Sequence, residues 1–329
     1  MRDGRAEGTL LRAGFAVLAG LVLADRAIAL ATPPAVPPAL LERLLDRAAT
    51  TAPGTYTVSE RSLDPAPEAI PLVVQADAYR GPGSAATVAV LLGGEVPPES
   101  DVRLRIVAVP GGQAAAPRVV GDATARGQTG RLRLVREFPL ASGEYEIQAV
   151  AGRRGTGEAV TAALARLPLA VPDVWSGPLA VTPIVLGAAV AAMPRAAEAR
   201  PFVFGPHLLA PAASDAFARA GELHVAFRVF NWRTEGDGAQ ADARPDLTVD
   251  YAFYEQTGDR LTFFNRMKPQ ALNAATLGPG FDARTGVVSA GVSVPLEMFP
   301  YGRFQMKVRV TDNRSRQAAA RQVRFRVSP

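Results

Sequence analysis

The sequence predicts an all-β protein built from two tandem antiparallel β-sandwiches. Three observations carry that prediction. From residue 70 onward apolar residues recur mostly at every second position, the spacing that lines one face of a strand. Clusters such as "RGPGS", "PGG", "EGDG" and "QTGD" interrupt the runs, in a chain with 30 Gly and 28 Pro. The third observation is that the pattern occurs twice.

At the N-terminus, Arg2, Arg5 and Arg12 precede the apolar run "AGFAVLAGLVLA" (13–24), and "AIA" and "ALA" follow with the small-x-small form of a cleavage site. A basic start, a short apolar core and a cleavage site predict a secretory signal over residues 1–31. The run is shorter than the ~20 residues that span a bilayer, so no permanent membrane span is expected. Asp3, Glu7, Asp25 and Arg26 depart from the usual pattern. Residues 32–69 then form a proline-rich spacer, "PPAVPP", and a short amphipathic helix, "ALLERLLDRAAT". Leu41, Leu44, Leu45 and Ala48 fall at helical spacing, which predicts a helix that packs against the first sandwich or frays in solvent rather than binding a partner.

The first sandwich is expected over residues 70–172. In "DVRLRIVAV", Leu104 and Ile106 oppose Arg103 and Arg105; in "GEYEIQAVA", Tyr145, Ile147 and Ala149 oppose Glu144, Glu146 and Gln148. The second is expected over residues 173–329, with Leu223, Val225, Phe227 and Val229 on one strand face and Leu247, Val249, Tyr251 and Phe253 on another. The interruption "VPDVWSGP" separates the two.

The repeat connects them. "ADAYRGPGSAATVAV" has the cadence of "SDAFARAGELHVAF", and "GEYEIQAVA…LPLAV" that of "GRFQMKVRV…RQVRFRV". Gly143 then matches Gly302, Tyr145 matches Phe304 and Val171 matches Val327, with about twenty extra residues in the second copy around residues 265–283. Short strands with turn signals between them predict immunoglobulin- or fibronectin III-like sandwiches.

These strand-ending segments resemble the C-terminal region of bacterial, acidobacterial-type extracytoplasmic proteins related to von Willebrand factor type A domains. The resemblance covers residues 70–329 and implies immunoglobulin-like modules in the cell envelope. The adhesion domain of that family carries an Asp-x-Ser-x-Ser metal motif, which this sequence lacks, so no metal-dependent adhesion is implied.

Composition bounds the chemistry. Cys is absent, which removes disulfides, thiolate nucleophiles and cysteine-ligated metals. The net charge of +5 is carried almost wholly by arginine, as Ala-, Gly- and Pro-rich sequences of GC-rich genomes commonly show. No nucleic-acid-binding motif accompanies it, and no nucleic-acid partner is expected. The sequence has no nucleophile elbow, Walker loop, zincin motif or dinucleotide fingerprint, and its histidines, His207 and His224, lie in no catalytic motif. Asp250 and Glu255 are glycosidase candidates only in the sense that any acidic residue is. No enzyme activity and no cofactor are therefore expected.

Three binding candidates remain. Arg303, Lys307, Arg309, Arg324 and Arg326 alternate with core residues, so they share the outer face of the closing hairpin. They would serve an anionic or envelope-protein partner, or simply solubilise the sheet. The first copy has Glu144, Glu146 and Gln148 instead, so the fold itself does not demand positive charge. Trp232 and Tyr254 are candidates for a carbohydrate platform, although strand aromatics more often pack the core. Asp237, Asp242 and Asp246 could supply oxygens to calcium, but their spacing fits no EF-hand and Arg244 lies among them. The expectation is an exported, non-enzymatic envelope interaction or scaffolding module, with a carbohydrate-binding accessory protein as the alternative.

Overall fold

The computed structural model describes residues 36–67, 69–81, 83–95, 100–109, 118–126, 131–154, 159–193, 200–234, 244–277, 281 and 283–329. The signal-like segment lies outside them. No helix among the described residues is long and apolar enough to cross a membrane.

Helix α1 (Pro38–Asp46) starts with proline in its first turn, where the missing N–H costs nothing. Strands β1 (Gly54–Val58) and β2 (Leu63–Pro65) follow, in a stretch that the sequence pattern left as a linker. The first sandwich then runs β3 (Leu72–Arg80), β4 (Ala86–Glu95), β5 (Asp101–Ala108), β6 (Arg118–Arg126), β7 (Arg131–Leu140), β8 (Gly143–Arg154) and β9 (Val160–Val171). One sheet is ordered β3–β4–β7 and the other β2–β1–β9–β8–β5–β6, so β1 and β2 simply extend the larger sheet. Leu104, Ile106, Ile147 and Ala149 bury against Val88, Val90 and Leu92 between the sheets.

The second sandwich repeats this order. It comprises β10 (Ala180–Val181), β11 (Val185–Ala192), β12 (Val203–Phe204), β13 (His207–Pro211), β14 (Ala216–Ala218), β15 (Glu222–Phe230), β16 (Leu247–Thr257), β17 (Arg260–Arg266), β18 (Gln270–Leu272), β19 (Val287–Pro295), β20 (Gly302–Asp312) and β21 (Ala318–Ser328). Strand β15 pairs with β19 on one side and with β10 and β11 on the other, and the β12–β13 hairpin extends that sheet beyond β11. The facing sheet is ordered β14–β21–β20–β16–β17, with β18 also on β16. The strands β3–β4–β7 and β6–β5–β8–β9 of the first part have counterparts in β11–β15–β19 and β17–β16–β20–β21 of the second, each set carrying further strands at its edges.

The register agrees at the matched positions. Gly143 pairs with Val171 and Gly302 with Val327. Both glycines hold φ near the limit of what an L side chain adopts, +155° and +153°, where the chain swings into the strand. Tyr145 donates its hydroxyl to the Ala141 carbonyl (2.9 Å), whereas Phe304, at the matched position, is fully buried with an apolar ring. The first part of the repeat diverges in use. Asp77-Ala78-Tyr79 stays in its core sheet, but Asp215-Ala216-Phe217 leads into β14, which pairs parallel with β21. The extra residues of the second copy include β18 and helix α2 (Ala274–Leu277), within the expected region.

The sandwiches meet where the β3–β4–β7 sheet faces β11, β15 and the β12–β13 hairpin. Tyr79, Ala89 and Leu91 pack on Val185, Phe202, Phe204, Leu209 and Ala226. The contact also buries an ion pair, Arg228 at 4% exposure and Asp77 at 0%. Arg228 stacks over Phe204 at 4.5 Å and donates to the Val203 carbonyl at 2.6 Å; Asp77 accepts the Phe202 amide at 2.8 Å. Burial pushes the Asp77 carboxyl up, while the guanidinium and the amide pull it down. Gln75 accepts from the Leu186 amide (2.7 Å) and donates to the Leu186 and Ala212 carbonyls (3.0 and 2.7 Å). Gly93 lets the backbones touch, since a Cβ there would lie 2.6 Å from the Ala213 Cα.

The connecting segment is fixed as well. Asn231 donates to the carbonyls of Asp173 (2.7 Å), Ser176 (2.6 Å) and Pro178 (3.2 Å). Arg80 donates to the Val174 carbonyl at 2.7 Å and lies over the Trp175 ring at 4.6 Å.

Candidate functional site

The outer face of the β21–β20–β16–β17 sheet can be written as four rows from the strand register. Arg326, Arg303, Gln256 and Leu261 form the first; Arg324, Gln305, Tyr254 and Phe263 the second. Gln322, Lys307, Ala252 and Arg266 form the third, and Ala320, Arg309 and Asp250 the fourth. Phe304, Met306, Val308, Val310, Phe325 and Val327 face the opposite side and are buried, so the alternation expected from the sequence holds along this hairpin.

Arg303, Lys307, Arg309, Arg324 and Arg326 are all exposed. Among the described residues none of their side chains has a hydrogen-bond or ion-pair partner. Arg303 directly opposite Arg326 is a like-charge pair on neighbouring strands, which costs stability, and Asp250 opposite Arg309 is the one carboxylate in the four rows.

The corresponding face of the first sandwich has a different fate. Helix α1 lies on it, with Leu40, Leu41, Leu44 and Leu45 against Val58, Val150, Val160, Ala162 and Leu164. Arg103 and Arg105 both pair with Glu42 of the helix, Arg105 also with Asp46 (2.9 Å), and Arg103 with Asp122 (2.9 Å). Arg166 lies 3.8 Å from Glu146 and donates to the Ala48 carbonyl at 2.7 Å. One copy thus covers and neutralises this face with α1; in the other Gln305 is buried but the five basic side chains stay exposed.

The bare face borders two depressions. One, of about 700 Å³, runs between the sandwiches, with Glu144 and Arg166 on one wall and Lys307, Arg321 and Arg324 on the other. Burial lowers the Arg321 pKa from its usual value, and Glu144 acts in the opposite direction. The other, of about 680 Å³, lies over Ala252 and is bounded by Asp250, Tyr254, Phe263, Arg266, Lys268, Lys307 and Arg309. Lys307 lines both.

The remaining sequence candidates are placed as follows. Trp232 does not share a surface with Tyr254: it is 8% exposed, in the second core, with its ring centroid 6.2 Å from that of Phe281. The strand aromatics there bury because the interior between two sheets rewards large apolar area. Tyr251 is buried too, which raises its phenol above the usual range, and its hydroxyl donates to Gln270 at 2.7 Å. Tyr254 does reach the surface, edge-on to Phe263 at 5.9 Å. Phe263 comes beside the basic strip through the pairing of β17 with β16, a proximity that the sequence pattern does not show.

Asp237 and Asp242 lie outside the described residues. Asp246 accepts from the Asn313 side chain at 2.9 Å. Among the described residues no group of three or more His, Asp or Glu could hold a metal ion. His207 and His224 line a third depression, of about 440 Å³, and His224 Nδ1 lies 2.7 Å from Ser293 Oγ.

No protein-family model matches the chain, and no curated protein matches it. Among solved structures, the native conformation of E. coli alpha-2-macroglobulin is similar over 85% of this chain and 18% of that chain, with 14% identity and a TM-score of 0.22. A superposition at that level carries no argument about this chain.

Proposed function

We propose that the chain is an exported, non-enzymatic interaction module of the cell envelope, in which the second sandwich presents a basic recognition face to an anionic partner. The supporting observation is the contrast between two equivalent sheet faces. One is covered by α1 with its arginines paired, and the other is bare, with Arg303, Lys307, Arg309, Arg324 and Arg326 unpaired among the described residues. Partner acids would take the place of Glu42 and Asp46, with charge complementarity setting encounter rate and register. The buried contact between the sandwiches holds that face in a fixed orientation, which suits a scaffolding role. The signal-like N-terminus and the envelope-family resemblance support the location.

The test is retention of the purified chain on isolated envelope material at increasing salt. Retention is expected to fall with salt and to drop in Arg324→Glu/Arg326→Glu. Retention indifferent to both would overturn the reading, as would hydrolase activity abolished by one carboxylate substitution.

A further inference from the structure

The depression over Ala252 combines features that plain solubilising charge does not need. The small Ala252 side chain lies between Lys307 and Arg266 in the third row, which leaves a recess flanked by two cations. Arg309 and Lys268 bring further positive charge to its rim, against the single carboxylate of Asp250. Phe263 is 57% exposed, and Tyr254 buttresses it edge-on with an interplanar angle of 79°. Among the described residues, the side chains of Asp250, Tyr254, Arg266, Lys268, Lys307 and Arg309 make no hydrogen bond or ion pair. The volume, about 680 Å³, is in the range of small-ligand sites.

From this we infer that the depression is a binding site for an acidic oligosaccharide of the uronic-acid type, an inference that rests on the reading of the basic face as a recognition surface. Each part of such a ligand has a counterpart. The apolar C–H face of a pyranose ring lies on the exposed ring of Phe263. Its carboxylate matches the planar fork of Arg309 or Arg266, with Lys307 and Lys268 adding point charge. Its hydroxyls donate to Asp250 and exchange hydrogen bonds with the Tyr254 phenol.

Other ligand classes fit worse. A neutral saccharide leaves four cations unmatched. A single-stranded nucleic acid stacks successive bases on aromatic platforms, whereas here the perpendicular Tyr254 leaves one open ring face. A deoxyribose phosphodiester would also meet the Asp250 carboxylate with no internal hydroxyl donor to satisfy it.

The experiment is calorimetric titration of the purified chain with a galacturonate hexamer, a neutral glucan hexamer and an oligo-dT of matched length. The uronate is expected to bind, weakening with salt, while the glucan does not. Phe263→Ala removes ring contact and should weaken binding by about tenfold, equivalent to ~1.4 kcal/mol. Lys307→Glu should weaken it as much or more. Tyr301→Ala, which removes an exposed aromatic beneath Arg219 elsewhere on this sandwich, should change nothing. Phe263 and Lys307 are exposed, so unchanged melting temperatures can verify that both variants fold.

No uronate binding, equal glucan binding, tighter oligo-dT binding, or uronate binding that survives Phe263→Ala would each overturn the inference. If uronate fails but envelope retention still depends on Arg324 and Arg326, only this inference falls. If retention is also insensitive to them, the proposed function falls with it.

Discussion

Replacing Asp77 by alanine tests whether the two sandwiches form one cooperative body. The substitution leaves the Arg228 guanidinium buried at 4% exposure, stacked on Phe204 and bonded to carbonyls, with no counter-charge. It also strips the Phe202 amide of its acceptor. Breaking a buried pair from one side costs about 3–5 kcal/mol, and the orphaned amide belongs to the same network, so the two losses do not add. Taking ~4 kcal/mol and roughly 2–4 °C per kcal/mol, the melting temperature should fall by roughly 8–16 °C. The assay is calorimetric and denaturant unfolding of wild type, Asp77→Ala and Asp77→Leu/Arg228→Met. The double variant should recover most of the loss, because apolar side chains of similar volume need no partner. A loss below ~1 kcal/mol for Asp77→Ala, or a double variant no better than the single one, would refute the claim that this contact is desolvated and structural.

Three further outcomes follow from the packing. Leu44→Ala should cost about 2–5 kcal/mol by opening a cavity between α1 and the β8–β9 face, read by urea denaturation. Gly93→Ala should cost roughly 1–3 kcal/mol, since its Cβ would lie 2.6 Å from the Ala213 backbone; an unchanged denaturation midpoint would show that the sandwiches do not touch there. Burial raises the phenols of Tyr251 and Tyr79 above the ordinary value of ~10, and Glu137 adds to the shift at Tyr79. Their contribution to stability is complete below pH ~10 and is lost as pH rises toward the folded-state values, because the unfolded phenols ionise first. Melting temperature should therefore fall steeply above pH ~10, and the fall should be shallower in Tyr251→Phe.

The sequence made much of this fold legible because alternation and repeat agree. Leu104, Ile106, Tyr251, Phe253, Phe304 and Phe325 all bury as their spacing predicts. The segment 54–65 escaped notice as strands because Tyr56 and Leu63 are only partly buried at a sheet edge, which leaves little periodicity to read. The contact between sandwiches was hidden for another reason. Alternation assigns Gln75, Asp77, Tyr79 and Arg228 to solvent-facing positions, yet a second sheet covers them. The signal for that was present in "AATVAVLL", where Ala89 and Leu91 keep the nominally outer face apolar as well. At the candidate site the basic strip was readable from period two alone. The aromatic half was not, because Trp232 and Tyr254 look alike in sequence, and only the sheet register sends one into the core and the other beside Phe263.

The central claim is that the bare outer face of the second sandwich is the recognition surface. Its most direct test is arginine-selective chemical footprinting of the purified chain with and without envelope material, read by mass spectrometry. The account predicts protection at Arg303, Arg309, Arg324 and Arg326 and none at Arg133 and Arg136, which are exposed on the first sandwich. Uniform protection, protection confined to the first sandwich, or no protection in material that retains the protein would contradict it.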